Sequence, residues 1–236
     1  MNWLIVVAGG KGQRSNLKFN KIFAGLNGFP LLYWTLKTFE KSKTIDNIVI
    51  SARKEDIKRI KAIIARYKLK KIKNIIDAKD SRQSSTFEVL KLLKSRMKNN
   101  DLVGIHNAVN PFVTQDEIEK VYKAAKIWGA SLLAYPAKDT VKIAAKDEFV
   151  DKTPLREICW YAQTPQVATF ANLLTAFLKA DNQKFVGTDD TQLLERVGVK
   201  VKIVPCSYQN FKITFPQDLL IAEQIVRKLR TSKVKH

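Results

Sequence analysis

The sequence predicts an α/β fold, a doubly wound and mostly parallel sheet, and three observations carry that reading. An apolar run, Leu4-Ile5-Val6-Val7, empties into the glycine-rich stretch Ala8-Gly9-Gly10-Lys11-Gly12-Gln13-Arg14. Beyond it, short β-rich runs alternate with amphipathic helical patterns, the order of strands joined by crossover helices. The strand candidates are continuously apolar, as strands covered on both faces are. In such a sheet ligands sit at the carboxyl ends of the strands.

Strands are predicted near Leu4 to Ala8, Asn47 to Ala52, Lys73 to Asp77, Leu102 to Ile105 and Ser131 to Tyr135, with helices from about Pro30, Lys54, Arg82 and Thr114. The loop after the first strand suits phosphate, because glycine lets backbone N–H groups approach phosphate oxygens closely. Arg14 and Lys21 follow, two cations able to neutralise charge on a triphosphate during displacement at phosphorus. The loop is not a dinucleotide fingerprint, since the third glycine position falls on Ser15, and it lacks the P-loop's closing G-K-[ST]. From Lys54 to Tyr67, Ile57, Ile60, Ile63, Ile64 and Tyr67 recur at helical spacing with Lys58, Arg59, Lys61 and Arg66 between them, a helix with a solvated basic face. Thr114 with Glu117 reads as a capping box, ahead of an apolar face of Ile118, Val121, Tyr122, Ala125 and Trp128. Residues 142–150 break the alternation and read as two short strands around a turn, a projecting hairpin expected to pack on a partner subunit. Thr214 with Gln217, and Pro216 in the first turn, start a closing helix that runs through Leu229.

With 236 residues, 45% of them apolar, the chain is long enough for one sizeable core and is expected to form a single domain over 1–236. It has no apolar run of the roughly 20 residues that cross a membrane and no signal-peptide pattern, so a cytoplasmic location is expected. Cys159 and Cys206 are too few and too far apart for a disulfide framework or a zinc site, and are expected as reduced thiols. The net charge of +20 raises the question of nucleic acid, which runs such as 68–73 and 227–230 could contact. No aromatic-interleaved platform or nucleic-acid motif accompanies the charge, which argues against a basic nucleic-acid-binding module.

Seven separated motifs point to one family. They are the opening loop with Lys21, then Arg82-Gln83-Ser84-Ser85, His106-Asn107-Ala108-Val109-Asn110-Pro111, Asp139-Thr140-Val141-Lys142, Gln163-Thr164-Pro165-Gln166, Gly187-Thr188-Asp189-Asp190 and Asn210-Phe211-Lys212-Ile213-Thr214. The opening resembles sugar-phosphate nucleotidyltransferases. Together the motifs resemble the 2-C-methyl-D-erythritol 4-phosphate cytidylyltransferases of the non-mevalonate isoprenoid pathway, from residue 3 to about 226, in that family's order and spacing. Ribitol-5-phosphate cytidylyltransferase is a close relative with nearly all of them.

The resemblance implies a Rossmann-like nucleotidyltransferase in which the acceptor phosphate attacks the α-phosphorus of CTP and pyrophosphate leaves, with Mg²⁺ as cofactor. Arg14 and Lys21 match the family's transition-state stabilisers, and Arg156 and Lys212 match the cations that hold the acceptor phosphate. Thr140 and Thr164 match hydroxyl contacts to the acceptor, while Ala8, Gly9, Gly10, Gly12, Ser85 and Asn107 match the nucleotide side. The hairpin at about 139–154 resembles the arm that dimers of the family exchange, which implies a homodimer. His106 reads as a packed strand-end residue, and Trp160 as core. A non-catalytic nucleotide-binding relative is the reading of another class.

Three positions depart from the family. Asn107 and Asn110 stand in the pattern His-Asp-Ala-x-Arg-Pro, and Asn20 stands where a proline precedes the lysine. An amide at 107, the one metal-ligand candidate, is expected to weaken divalent-cation binding, since hard cations favour carboxylates. Asn110 is expected to remove a cation from the edge of the acceptor pocket, and Asn20 to leave the loop around Lys21 less preorganised.

Overall fold

The structure is a computed structural model and describes residues 1–10 and 20–231. Strand β1 spans Asn2–Val7, and a 3₁₀ turn at Lys21–Phe23 leads to the small hairpin β2 (Gly25–Leu26) and β3 (Phe29–Pro30). Then come α1 (Leu31–Lys41), β4 (Asn47–Ala52), α2 (Lys54–Arg66), β5 (Ile72–Asp77), α3 (Arg82–Leu93), β6 (Leu102–Asn107), α4 (Gln115–Trp128) and β7 (Ala130–Pro136). A second hairpin, β8 (Ile143–Ala144) and β9 (Val150–Lys152), precedes β10 (Trp160–Thr169). Helices α5 (Phe170–Asn182) and α6 (Asp190–Arg196), strand β11 (Lys202–Pro205) and helix α7 (Pro216–Thr231) complete the described residues.

The main sheet has the order β11-β7-β10-β6-β1-β4-β5, parallel throughout except for β10, which runs antiparallel to both β6 and β7. Strand alternation explains why both faces are covered. On β1, Leu4 and Val6 join one core with Leu36, Phe39, Ile60, Ile63, Val121 and Tyr122, while Trp3 and Ile5 join another with Phe87, Leu90, Phe177 and Leu193. A third cluster, Leu26, Leu31, Phe112, Ile213, Ala222 and Val226, seats α7 against the β2–β3 hairpin. Chain order reverses at β1, whose neighbours are β4 on one side and β6 on the other, and a crevice opens at that switch point.

The predicted strands and helices appear in place, and the Thr114–Glu117 capping box is formed at both ends. Gly129, in left-handed backbone at φ 83°, ends α4. On α2, Ile60 and Ile63 are buried while Lys58, Arg59, Lys61 and Arg66 face solvent. Three details differ from the sequence reading, one being that Trp128, read on the apolar face of α4, is exposed. The start of α7 is held by the Asp218 carboxylate, which accepts the N–H of Thr214 at 2.6 Å and of Phe215 at 2.8 Å; Thr214 Oγ1 donates instead to the Lys212 carbonyl. Trp160 is not core: it begins β10 at the base of the 139–154 hairpin and is 36% exposed. Both cysteines are free.

Candidate active site

A cleft of about 790 Å³ opens where β1, β4, β5 and β6 end. Its walls come from residues 7–10 after β1, 53–55 after β4, 77–82 after β5, Asn107 and Val109 after β6, Lys21, and Lys212 with Thr214 ahead of α7. The volume lies within the range of small-molecule sites. No helix among the described residues is long and apolar enough to cross a membrane.

The turn after β1 is tightly built. Ala8 donates its N–H to the Ser51 carbonyl at 2.7 Å, and Ala78 donates to the Ala52 carbonyl at 2.8 Å, so the turns after β1 and β5 continue the sheet's ladder. Gly9 and Ala78 meet where those turns touch: a Cβ on Gly9 would lie 2.5 Å from that of Ala78, so the backbones approach this closely only with glycine at 9. Gly10 faces open space. Gly12 and Arg14 lie outside the described residues.

Asn20 corrects one expectation. Its side chain accepts from the Ile22 N–H at 3.3 Å, capping the turn that carries Lys21, and its amide donates to the Ala8 carbonyl at 3.2 Å and to Asp56 Oδ2 at 2.7 Å. These three bonds fasten the Asn20 side chain to Ala8 just after β1, to α2 and to the turn that carries Lys21. Lys21 is buried and its ammonium donates to the Thr214 carbonyl at 2.9 Å, which places it beside Lys212 and Thr214 on the cleft wall.

Ser85 is buried at the start of α3, where its hydroxyl accepts the Lys79 N–H at 2.9 Å and donates to the Ser81 carbonyl at 2.7 Å. It therefore shapes the 79–81 turn that lines the cleft. Ser81 and Ser84 form a capping box on the same helix.

Asn107 ends β6 inside a polar network. Its Nδ2 donates to Asn110 Oδ1 at 3.2 Å, its Oδ1 faces Arg82 Nε at 3.4 Å, and its backbone N–H points at Thr164 Oγ1 at 3.3 Å. Asn110 is fully buried and passes its amide to Gln163 Oε1 at 3.4 Å, so position 110 lies inside the network and not at a pocket edge, the second correction. Thr164 is likewise buried, and its carbonyl accepts from Asn210 Nδ2 at 2.9 Å. His106 has no exposed surface; its Nε2 lies 2.9 Å from the Asn110 carbonyl, which can only accept, so Nε2 carries the hydrogen. Burial pushes its pKa down to about 4, which leaves the ring neutral near pH 7.

Sequence reasoning missed the clamp on residues 185–190. Arg82 Nη2 reaches Asp190 Oδ2 at 2.5 Å, Gln83 donates to the Phe185 carbonyl at 2.8 Å and accepts the Gly187 N–H at 2.9 Å, and Gln166 accepts the Asp190 N–H at 2.9 Å. Burial works against the charge of Arg82, yet the adjoining Asp190 carboxylate holds its pKa above the ordinary value. The motifs Arg82-Gln83 and Gly187 to Asp190 were legible separately, but nothing in the sequence pairs residues 108 apart.

Of the four predicted acceptor contacts only Lys212 lines the cleft of this chain, and Thr164 is buried with its hydroxyl facing the Asn107 N–H. Thr140 and Arg156 are exposed near the β8–β9 hairpin, with Arg156 Nη1 3.4 Å from the Lys138 carbonyl. Among the described residues no group of three or more His, Cys, Asp or Glu side chains could hold a metal ion. Asn107 offers one carboxamide oxygen, and that oxygen already faces a guanidinium. A hard divalent cation wants carboxylates, so the described residues do not form a Mg²⁺ cage.

Comparison with known proteins agrees with this geometry. The family model for 2-C-methyl-D-erythritol 4-phosphate cytidylyltransferase matches residues 3–228. A protein of that name from Clostridium novyi is 38% identical over 231 residues, covering 98% of both chains. Another, from Halalkalibacterium halodurans, is 40% identical over 223 residues, covering 94% of this chain and 96% of its own. The crystal structure of 4-diphosphocytidyl-2C-methyl-D-erythritol synthase from Anaerococcus prevotii superposes with a TM-score of 0.84 at 33% identity, covering 96% of each chain. With its glycine turn after β1, its cleft at the strand switch point and a match over nearly its whole length, the chain belongs to the 2-C-methyl-D-erythritol 4-phosphate cytidylyltransferase family.

Proposed function

We propose that the cleft binds CTP and that the protein joins it to 2-C-methyl-D-erythritol 4-phosphate, giving the CDP-linked polyol and pyrophosphate. An acceptor phosphate oxygen forms a bond to the α-phosphorus of CTP while the bond to the leaving diphosphate breaks, so no covalent enzyme intermediate is needed. The observation that carries this reading is the convergence of the Ala8–Gly10 turn, Lys21, Asn107 and Lys212 on one cleft. Lys21 neutralises charge that builds on the α-phosphate and diphosphate, and Lys212 grips the acceptor phosphate. Arg14 shares the first task in this proposal.

Mg²⁺, which the described residues do not cage, would be held by the phosphate oxygens of the nucleotide rather than by these side chains, and would supply neutralisation of triphosphate charge. Arg156 and Thr140 serve the cleft of a second copy of the chain. Supporting that assembly, Phe149, Val150, Leu155 and Ile158 are exposed on and beside the hairpin, an apolar surface that a partner would cover.

Pyrophosphate release tests the whole reading. CTP should be used in preference to UTP, ATP and GTP, and 2-C-methyl-D-erythritol 4-phosphate in preference to ribitol 5-phosphate; preference for ribitol 5-phosphate would move the protein to the related activity. Lys21→Ala should lower kcat by roughly 10²- to 10³-fold, the order lost with one preorganised charge-stabilising donor. A folded Lys21→Ala protein with near-wild-type turnover would remove Lys21 from that role.

A further inference from the structure

Arg82 opens α3 and its guanidinium touches two elements far apart in the chain. Nη2 binds Asp190 Oδ2 at 2.5 Å at the start of α6, and Nε faces Asn107 Oδ1 at 3.4 Å at the end of β6. A guanidinium has donors only, so the carboxamide at 107 must turn its oxygen toward Arg82. Its Nδ2 then points at Asn110 Oδ1, 3.2 Å away, and Asn110 in turn aims its own amide at Gln163. Each group in this row has one orientation that satisfies its neighbours, and Arg82 sets the first. Asp190 makes this affordable: its buried carboxylate balances the guanidinium beside a cleft that must also take a triphosphate.

We propose that Arg82 is a positioning residue for cytidylyl transfer. Anchored by Asp190, it fixes the orientation of the Asn107 carboxamide, so that Asn107 meets the bound nucleotide in a single pose. Gln83 and Gln166 hold the 185–190 segment from both sides, which keeps the Asp190 anchor from drifting. The proposal rests on the reading that this cleft binds CTP.

Arg82→Lys separates positioning from structure. A lysine can still pair with Asp190 as a point charge, but it lacks the planar fork that serves both partners at once. The expected result is a melting temperature close to wild type and a CTP KM raised about tenfold, with kcat changed less than about threefold, as for loss of one hydrogen bond from a charged donor. In an Asn107→Ala background the same Arg82→Lys change should add less than about a twofold effect, because the group it positions is gone. Equal effects with and without Asn107, or an Arg82→Lys protein with the wild-type KM, would overturn the proposal. Should the lysine variant fail to fold, Arg82→Gln, which keeps an N–H donor, enters the same cycle with CTP affinity read by calorimetry. A wild-type protein that neither releases pyrophosphate nor binds CTP would overturn the functional reading and this proposal with it, an outcome distinct from additivity in an active enzyme.

Discussion

His106 shows what a single residue contributes beyond the reacting groups. It is fully buried, donates from Nε2 to the Asn110 carbonyl, and has no partner for Nδ1 among the described residues. Because burial holds its pKa near 4, below the ordinary 6.5, the unfolded chain takes up a proton before the folded one does. Stability from this group is therefore present above about pH 6.5 and is lost as pH falls toward 4, by an amount on the order of 3 kcal/mol. Denaturant titrations at pH 7 and pH 4.5 should show that slope in the wild type and its loss in His106→Gln, where an amide can keep the donor; equal slopes in both would assign the pH dependence elsewhere. The sequence placed His106 correctly because an apolar strand surrounds it. The hydrogen-bond partners of the amides at 20 and 110 were not legible in the sequence. Asn20 and Asn110 read as lost rigidity and lost charge, since a substitution shows what is missing and not which carbonyls the new amide reaches; Asn20 reaches Ala8 and Asp56, and Asn110 joins Asn107 to Gln163.

Among the elements, the β8–β9 hairpin is the one with no core of its own. Its strands are two and three residues long and exposed, and Phe149 and Ile158 are 74% and 72% exposed. A pair of strands this short is marginal alone in water, so its shape implies a covering surface. If a second copy supplies that surface, Phe149→Ser with Ile158→Ser should shift the sedimenting mass from twice the 26.9 kDa chain toward one copy, and raise the acceptor KM more than the CTP KM. An unchanged mass with unchanged kinetics would detach the hairpin from both assembly and acceptor binding. Charge-rich sequence between two short apolar pieces made the hairpin legible, whereas β10 was not. Its ten residues include Gln163, Thr164 and Pro165, and its pairing with β7 shifts register between Ala162 and Gln166, so no period-two pattern runs through it. Helices α5 and α6 are capped by Thr169 and Asp189, whose side chains accept the N–H of Asn172 and Gln192, and the Asp189–Gln192 spacing is the signal that could have found α6.

At the scale of the molecule, the net charge of +20 needs a physical use or none at all. Much of it is the solvated face that the periodicity predicts, as on α2, where Lys58, Arg59, Lys61 and Arg66 surround buried Ile60 and Ile63. The cleft itself is mixed: Arg53, Lys54, Lys79 and Arg82 share its walls with Glu55, Asp77 and Asp80, and Lys21 and Lys212 line it as well. Both proposed substrates are anions, so a positive molecule draws them from a distance while the local acids keep the cleft from becoming a trap for any polyanion. That long-range part is screened over about 10 Å at 0.1 M salt, whereas contacts inside the cleft are screened much less. Raising KCl from about 20 to 300 mM should accordingly lower kcat/KM for CTP several-fold while kcat stays within about twofold, because the field acts on encounter and not on the bound complex. Steady-state pyrophosphate release across that salt series decides the matter. A kcat that falls in step with kcat/KM would place the salt-sensitive charges at the reacting phosphates, and a flat kcat/KM would leave the excess surface charge with no part in substrate capture.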